Sequence, residues 1–445
     1  MFIFLYILMI LTFLAFIGIY KLAKTGRRAV PIDDIAVFTV LCICLYTLLP
    51  VISWLLQGGE YIIPVGRLYQ MQPTVSEVFE LMLLGVGPIF GVLVVYFLQR
   101  ATLARLNVKP LFKFNWWISN KLLFICATIV ICVYAVQSAI KFKYGMLNAE
   151  TYNDTYIQYA NLPKIVAQLL AQSRAALSVS MLIVVAALVM RWDSGGKKWL
   201  IIMAALLLLT FDVGYSRTQL FYYILLFIVL YHMFVQPFTR AFKVLWLFLI
   251  VLVSFLLLGL RGDGLISFAA LPLGEFDNIW ANGVHLLRER VAGTLEVPIN
   301  AHLNEFVNFI PSQLLPYQKI DMSNWYLDTY YPGYKENGGG LKFGVIPQAI
   351  VGFGLAESFF RGIIVGAISI KLKNILHKYH SCWSLIVFLM IYMSSYDMVR
   401  GGNFSAFIGL LGTTLLIVLV IRWLNRVLPS KQHPNILNVG KTLEL

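Results

Sequence analysis

The chain alternates between long apolar runs and short polar connections, many of them basic. The apolar runs lie near 2–20, 35–56, 78–98, 118–139, 165–190, 199–215, 218–235, 244–260, 358–372, 383–398 and 403–421. Each approaches the roughly 20 residues a helix needs to cross about 30 Å of hydrocarbon. Lipid offers the backbone no hydrogen-bond partners, so runs of this kind must be helical. The pattern predicts an all-α polytopic membrane protein of 11 transmembrane helices. The first run has no basic segment before it and no small-residue cleavage site after it; Lys21, Lys24, Arg27 and Arg28 follow. It reads as a retained span.

One connection is far longer than the rest, and it divides the chain into three parts. Residues 1–260 form the first eight spans, 261–357 a large extracytoplasmic loop, and 358–445 the last three spans with a cytoplasmic tail. Inside the loop, Phe276, Ile279, Trp280, Val284, Leu287 and Val291 fall on one side of a helical wheel. Asp277, Asn278, Asn282, His285, Arg288 and Glu289 fall mostly on the other. This spacing predicts an amphipathic helix lying in the outer membrane–water interface.

Composition agrees with the pattern. The 445 residues are 60% hydrophobic and 13% charged, with a mean hydropathy of +0.79, whereas a soluble domain carries about 25% charged residues. Well over half of the 35 Lys and Arg fall in the alternate short connections KLAKTGRR, QRATLARLNVKPLFKFN, RWDSGGKK, QPFTRAFK and KLKNILHKYH, at Lys121, and in the tail from Arg422. Short basic loops stay in the cytoplasm, which puts the N-terminus and the large loop outside and the C-terminus inside a bacterial inner membrane. The net charge of +14 is then topology and gives no reason to invoke nucleic acid. The five cysteines supply neither a disulfide framework nor zinc spacing, and His377 with His380 lack a carboxylate or thiolate to complete a metal site.

Candidate chemistry lies in the outer arginines. Arg217 sits at a tight turn between two spans in FDVGYSRTQL, Arg261 follows a span in LLLGLRGDG, and Arg400 ends one in SSYDMVRGG. Arg288 and Arg290 lie on the amphipathic segment. Arginines at such a level snorkel to headgroups or pair with acids such as Asp212, Asp263 and Asp397. Three delivered to one depth by separate spans also suit a lipid-linked pyrophosphate, because guanidinium forks match phosphate oxygens bidentately and stay charged. Gly262, Gly264, Gly401 and Gly402 either permit close approach of a ligand or serve turn geometry. The stretch NWYLDTYYPGYKENGGGLKFG adds tyrosine and tryptophan, suited to an interface or to stacking on sugars.

The Ser216–Arg217 turn, the Arg400–Gly401 pair, the Gly338–Gly340 run and Phe353–Gly354, set in many spans with one dominant loop, resemble the O-antigen or oligosaccharide repeat-unit polymerases (the Wzy type). The likeness covers most of the chain. It departs from the family at Gln348, where an acid is expected.

The resemblance implies a metal-independent glycosyltransferase without a cofactor. It would move a growing glycan from undecaprenyl pyrophosphate to an incoming lipid-linked repeat, alongside membrane lipid and a chain-length regulator protein. Arg217, Arg261 and Arg400 would then stabilise the leaving pyrophosphate, with Arg288, Arg290, Trp280, Gly339 and Gly340 binding substrate. Glu275, Asp277, His285, Glu296, His302 and Glu305 are the candidates for a general base; His302 has the added analogy of the related O-antigen ligases, and Glu296 stands beside it among the catalytic candidates. An O-antigen ligase and a lipid-linked oligosaccharide flippase remain the alternatives.

Overall fold

The computed structural model describes residues 1–25, 31–59, 63–65, 69–108, 118–144, 162–190, 217–235, 238, 275–300, 302, 305, 315–317, 319–332, 342–379, 381–402 and 405–427. The protein is a helical membrane protein. Its helices are α1 Phe2–Lys24, α2 Ile35–Leu56, α3 Val75–Leu98, α4 Arg100–Val108, α5 Asn120–Lys143, α6 Lys164–Met190, α7 Arg217–Phe234, α8 Glu275–Ala292, α9 Met322–Tyr330, α10 Val345–Val351, α11 Leu355–Tyr379, α12 Cys382–Gly401 and α13 Ser405–Val427. Among the described residues, five helices are long and apolar enough to cross a membrane: α1, α2, α3, α5 and α12. The expected spans 199–215 and 244–260 lie outside the described residues.

The connection between α2 and α3 carries a short antiparallel ribbon, β1 Ile63–Val65 against β2 Tyr69–Met71, with Pro64 opposite Gln70. The ribbon turns the chain back, so α2 and α3 run in opposite directions. Thr74 then starts α3 with a capping box. Its hydroxyl accepts from the Glu77 N–H while the Glu77 carboxylate accepts from the Thr74 N–H, which satisfies two donors that the helix end leaves without partners.

The tightest helix pair is α3 against α11, and glycines make it so. A Cβ at Gly91 would strike the backbone of Phe359 and Gly362, and one at Gly362 would strike the Pro88 carbonyl. Farther along, Gly366 meets Val92 and Val95, so the two helices run in parallel. Small residues four apart (Gly87 and Gly91 on α3; Ser358, Gly362 and Gly366 on α11) let the backbones touch, and the gain is dispersion rather than any hydrophobic drive between helices. The Ser358 hydroxyl donates to the Leu84 carbonyl across the pair.

The amphipathic segment forms α8 as the spacing predicts. Ile279, Trp280, Val284 and Leu287 are buried as expected, and so are Ala281, Asn282 and Leu286 on other sides of the helix; Val291 is 86% exposed. The helix packs against α2, α3, β1 and α10, while Arg288 and Arg290 stay exposed. The Trp280 indole N–H donates to the Tyr46 carbonyl of α2 at 2.9 Å, and the Phe276 ring meets the Tyr46 ring at 4.5 Å. Trp280 is fully buried, so it anchors α8 to the bundle and has no face left for a sugar.

Candidate functional site

Among the described residues, two polar clusters lie within the bundle, one at the end covered by α8 and one at the opposite end. At the α8 end, α10 is buried along its whole length and leads through a turn at Gly352–Gly354 into α11. Gly354 takes a φ of 64°, a conformation open to glycine without strain. The Glu357 carboxylate in the first turn of α11 accepts from the Phe353 N–H at 2.8 Å.

One turn later stands Arg361, 6% exposed. Its Nη1 and Nη2 donate to the two oxygens of Glu305 at 2.5 Å each. Its Nε donates to Glu357 Oε1 at 2.9 Å, with Nη2 on the same oxygen. Nη1 also reaches the Gly402 carbonyl at 3.3 Å. Gly402 closes α12 in the left-handed region, φ 74°, and a Cβ there would strike the Gly344 carbonyl. One guanidinium thus fastens Glu305, the start of α11 and the end of α12. The role of Gly402 is this packing and helix termination. A small cavity lies beside the fork, lined by Ile43, Val345, Arg361, Met398 and Gly402, with room for about one water.

Above this cluster, α8 carries His285. Its Nδ1 lies 2.9 Å from the Tyr326 hydroxyl, and its Nε2 faces Glu289 Oε1 at 3.8 Å. The other Glu289 oxygen accepts from the Thr294 hydroxyl at 2.7 Å, which holds the carboxylate toward the ring. Tyr326, Tyr330 and Tyr331 surround the imidazole with centroids 5.8, 4.7 and 6.1 Å away. Burial pulls the His285 pKa below its ordinary value of 6.5 and Arg288 adds to this, outweighing the opposing pull of Glu289. Burial therefore holds the imidazole toward its neutral form.

Of the arginines expected to meet substrate, Arg288 and Arg290 are engaged by the protein itself. Arg288 donates to both Glu77 oxygens, at 2.6 and 3.1 Å, and to the Gln72 carbonyl at 2.9 Å. Its fork ties α8 to the head of α3 and is not presented to a ligand. Arg290 is exposed and reaches the Ile350 carbonyl at 3.3 Å. Arg400 is half-buried in the last turn of α12. Arg217 opens α7, but its side chain lies outside the described set, as do Arg261, Gly339 and Gly340. Glu296 is exposed and His302 half-buried; Glu296 acts on the Tyr330 hydroxyl, which puts it near the aromatic group. Gln348, the departure from the polymerase pattern, is buried with its side-chain oxygen lacking a partner among the described residues.

Sequence reasoning missed Arg361. The signal was there: an arginine inside an apolar run is a functional candidate by default, and Glu357 lies one helical turn before it.

At the opposite end, Asp34 caps α2 and accepts from the Val37 N–H at 3.2 Å. The same oxygen accepts from the hydroxyls of Tyr96 at 2.5 Å and Ser369 at 3.3 Å. Its second oxygen faces the buried Lys373 Nζ at 3.7 Å and makes no hydrogen bond. Next to it, Asp33 faces His232 Nε2 at 3.9 Å, while His232 Nδ1 accepts from the Phe238 N–H at 3.0 Å. No family model, curated protein or solved structure matches the chain.

Proposed function

We propose that the protein is a membrane glycosyltransferase of the repeat-unit polymerase kind, acting at the α8 end of the bundle, which the basic short loops put on the outer side of a bacterial inner membrane. The observation that carries this reading is the His285–Glu289 pair, whose imidazole burial holds toward the neutral form. His285 lies between the Tyr326 hydroxyl at Nδ1 and Glu289 at Nε2. An acceptor hydroxyl gives its proton to the neutral imidazole, and its oxygen attacks the anomeric carbon of the lipid-linked donor. The bond to the pyrophosphate breaks with its electron pair, and Glu289 stabilises the imidazolium that forms. Arg217, Arg261 and Arg400 are the cations assigned to the departing pyrophosphate.

Deletion of the gene in its native host, read by gel analysis of surface polysaccharide, tests the class of reaction. A product carrying a single repeat supports the polymerase; loss of every attached repeat would point to a ligase or flippase instead. His285→Ala should leave membrane abundance normal and reduce polymer synthesis by about 10²- to 10⁴-fold. Because the His285 pKa lies below 6.5, the rate should be flat at pH 7 to 8 and fall only as pH drops through more acid values. A rate that climbs steadily above pH 7 would remove His285 as the base. Lys373 and Asp34, buried together at the opposite end of the bundle, favour a second reading as a lipid-linked oligosaccharide transporter, since a buried charge pair away from the α8 end is a functional candidate of its own. Polymer formed in vitro by purified protein in detergent separates the two.

A further inference from the structure

We propose that the outward side of α3, at the end away from α8, binds an anionic phospholipid, its phosphate held by Lys21, Arg100, Arg105 and Lys371 and its acyl chains laid on Phe97 and Leu98. Such a surface would serve an enzyme and a transporter alike. The contacts of α3 with its neighbours set which side turns out. Leu93 meets Gly18 of α1, while Gly91 and Val95 meet Phe359, Gly362 and Gly366 of α11. Tyr96 points inward to Asp34. The side that remains carries Phe97, 68% exposed, and Leu98, 74% exposed, and therefore faces out between α1 and α11. Side chains this apolar and this open suit hydrocarbon, not water.

Cations border this apolar strip. Lys21 is exposed one turn past Gly18 on α1, and Lys371 is exposed just past Gly366 on α11. α3 ends at Gln99, whose side-chain oxygen accepts from the Thr102 hydroxyl at 3.0 Å, and α4 begins at the next residue. α4 packs against α1, α3 and α11; Leu103 is fully buried and roots it, while Arg100 and Arg105 stay exposed. Among the described residues no ion pair engages Lys21, Arg100, Arg105 or Lys371. α1, α4 and the part of α11 past Gly366 contain no carboxylate, and Asp33 and Asp34 are buried, facing His232 and Lys373. Four cations on packed elements without a counter-ion repel one another, and phosphate oxygens relieve this through charge-assisted hydrogen bonds. A soluble polyanion would use the cations and leave the apolar side chains idle, whereas a phospholipid uses both.

Native mass spectrometry of the purified full-length protein in a nonionic detergent tests this, with dioleoyl-phosphatidylglycerol and dioleoyl-phosphatidylcholine as probes. Phosphatidylglycerol should bind saturably and about tenfold or more tightly than the zwitterionic lipid. Arg100→Gln with Arg105→Gln should weaken it by about tenfold or more, at roughly fivefold per cation. Arg422→Gln with Arg426→Gln removes the same charge from exposed positions on α13, which packs on α5, α6 and α12, and should change binding by less than about twofold. Equal affinity for the two lipids, unchanged binding in the α4 pair, or an equal loss in the α13 pair would each overturn the proposal. So would displacement of phosphatidylglycerol by millimolar inorganic phosphate at constant ionic strength, because a free anion would then suffice without acyl chains. If the α4 pair fails to give a monodisperse protein, Lys21→Gln with Lys371→Gln supplies the same reading, and unchanged binding there overturns the proposal as well.

Discussion

The two ends of the bundle solve the same problem, a charge buried among apolar helices, in opposite ways. At the α8 end, Arg361 spends its fork on two carboxylates and a carbonyl, all within 3.3 Å. At the far end, Asp34 concentrates three donors on one oxygen and leaves the other 3.7 Å from Lys373, and Asp33 stands 3.9 Å from His232. Both gaps exceed hydrogen-bond length and are of the size a bridging water spans. A closed network resists rearrangement, because every alternative leaves a partner unpaired in a medium of low dielectric. An open one tolerates small shifts at little loss. The Arg361 cluster thus fixes Glu305, the start of α11 and the end of α12 together, while the Asp34 cluster leaves its end of α2, α3 and α11 able to adjust.

The largest effect that this contrast predicts is at Arg361. Arg361→Ala leaves Glu305 and Glu357 facing each other in a buried site, and breaking such a pair costs about 3–5 kcal/mol. The expected result is a sharp fall in folded protein, read by fluorescence-detected size exclusion after heating. Arg361→Lys, which keeps the charge without the fork, should fall between the two. Normal thermal behaviour of Arg361→Ala would show that the cluster is not what holds this end together.

Much of the membrane domain was legible because its signals are local. The run 35–56 coincides with α2, and the termini of α3, α6 and α7 fall within a few residues of the apolar runs. The helix α8 was legible for the same reason, its apolar positions recurring at 3.6-residue spacing. Its burial was not, since whether the polar side of a helix meets water or a neighbour depends on what α9, α10 and β1 do, far away in sequence. The same holds at the site. Arg288 reads as a ligand for phosphate until Glu77, some 200 residues earlier in the chain, takes its fork. Glu305 was among the candidate bases, yet the structure gives it to Arg361. The glycine contacts of α3 with α11 were present as small residues four apart, but only a partner helix turns that spacing into an interface.

A middle-sized effect is expected at Lys373. Lys373→Met removes the cation from Asp34 while three donors remain on the other oxygen, so the loss should be about 1–3 kcal/mol. Asp34→Asn should be similar, and the double variant should be no worse than either single one, because each removes the charge the other was answering. Measured together with Arg361→Ala and Glu305→Gln, the coupling energy should be clearly smaller for the Asp34–Lys373 pair. Equal couplings would mean that the 3.7 Å gap is filled as effectively as the Arg361 contacts, and the two ends would no longer differ.

The smallest effect compares two hydroxyls at the Asp34 end. Tyr96 donates to Asp34 at 2.5 Å and shares a contact with the Ser369 hydroxyl at 3.0 Å; Tyr392 donates to the Ile32 carbonyl at 2.8 Å. Replacing either by phenylalanine keeps the ring and its packing, and for Tyr392 this includes the stack on Phe38 at 4.7 Å. A net hydrogen bond contributes about 1 kcal/mol and one to a charged acceptor somewhat more. Tyr96→Phe leaves the Ser369 hydroxyl and the Val37 N–H on the carboxylate, so an open cluster should absorb the change, and both variants should lose about 1 kcal/mol in thermal unfolding. A rigid cluster would give a different answer. If Tyr96→Phe lost several times more than Tyr392→Phe, the remaining donors would have failed to close around Asp34, and the far end would be as tightly determined as the Arg361 end.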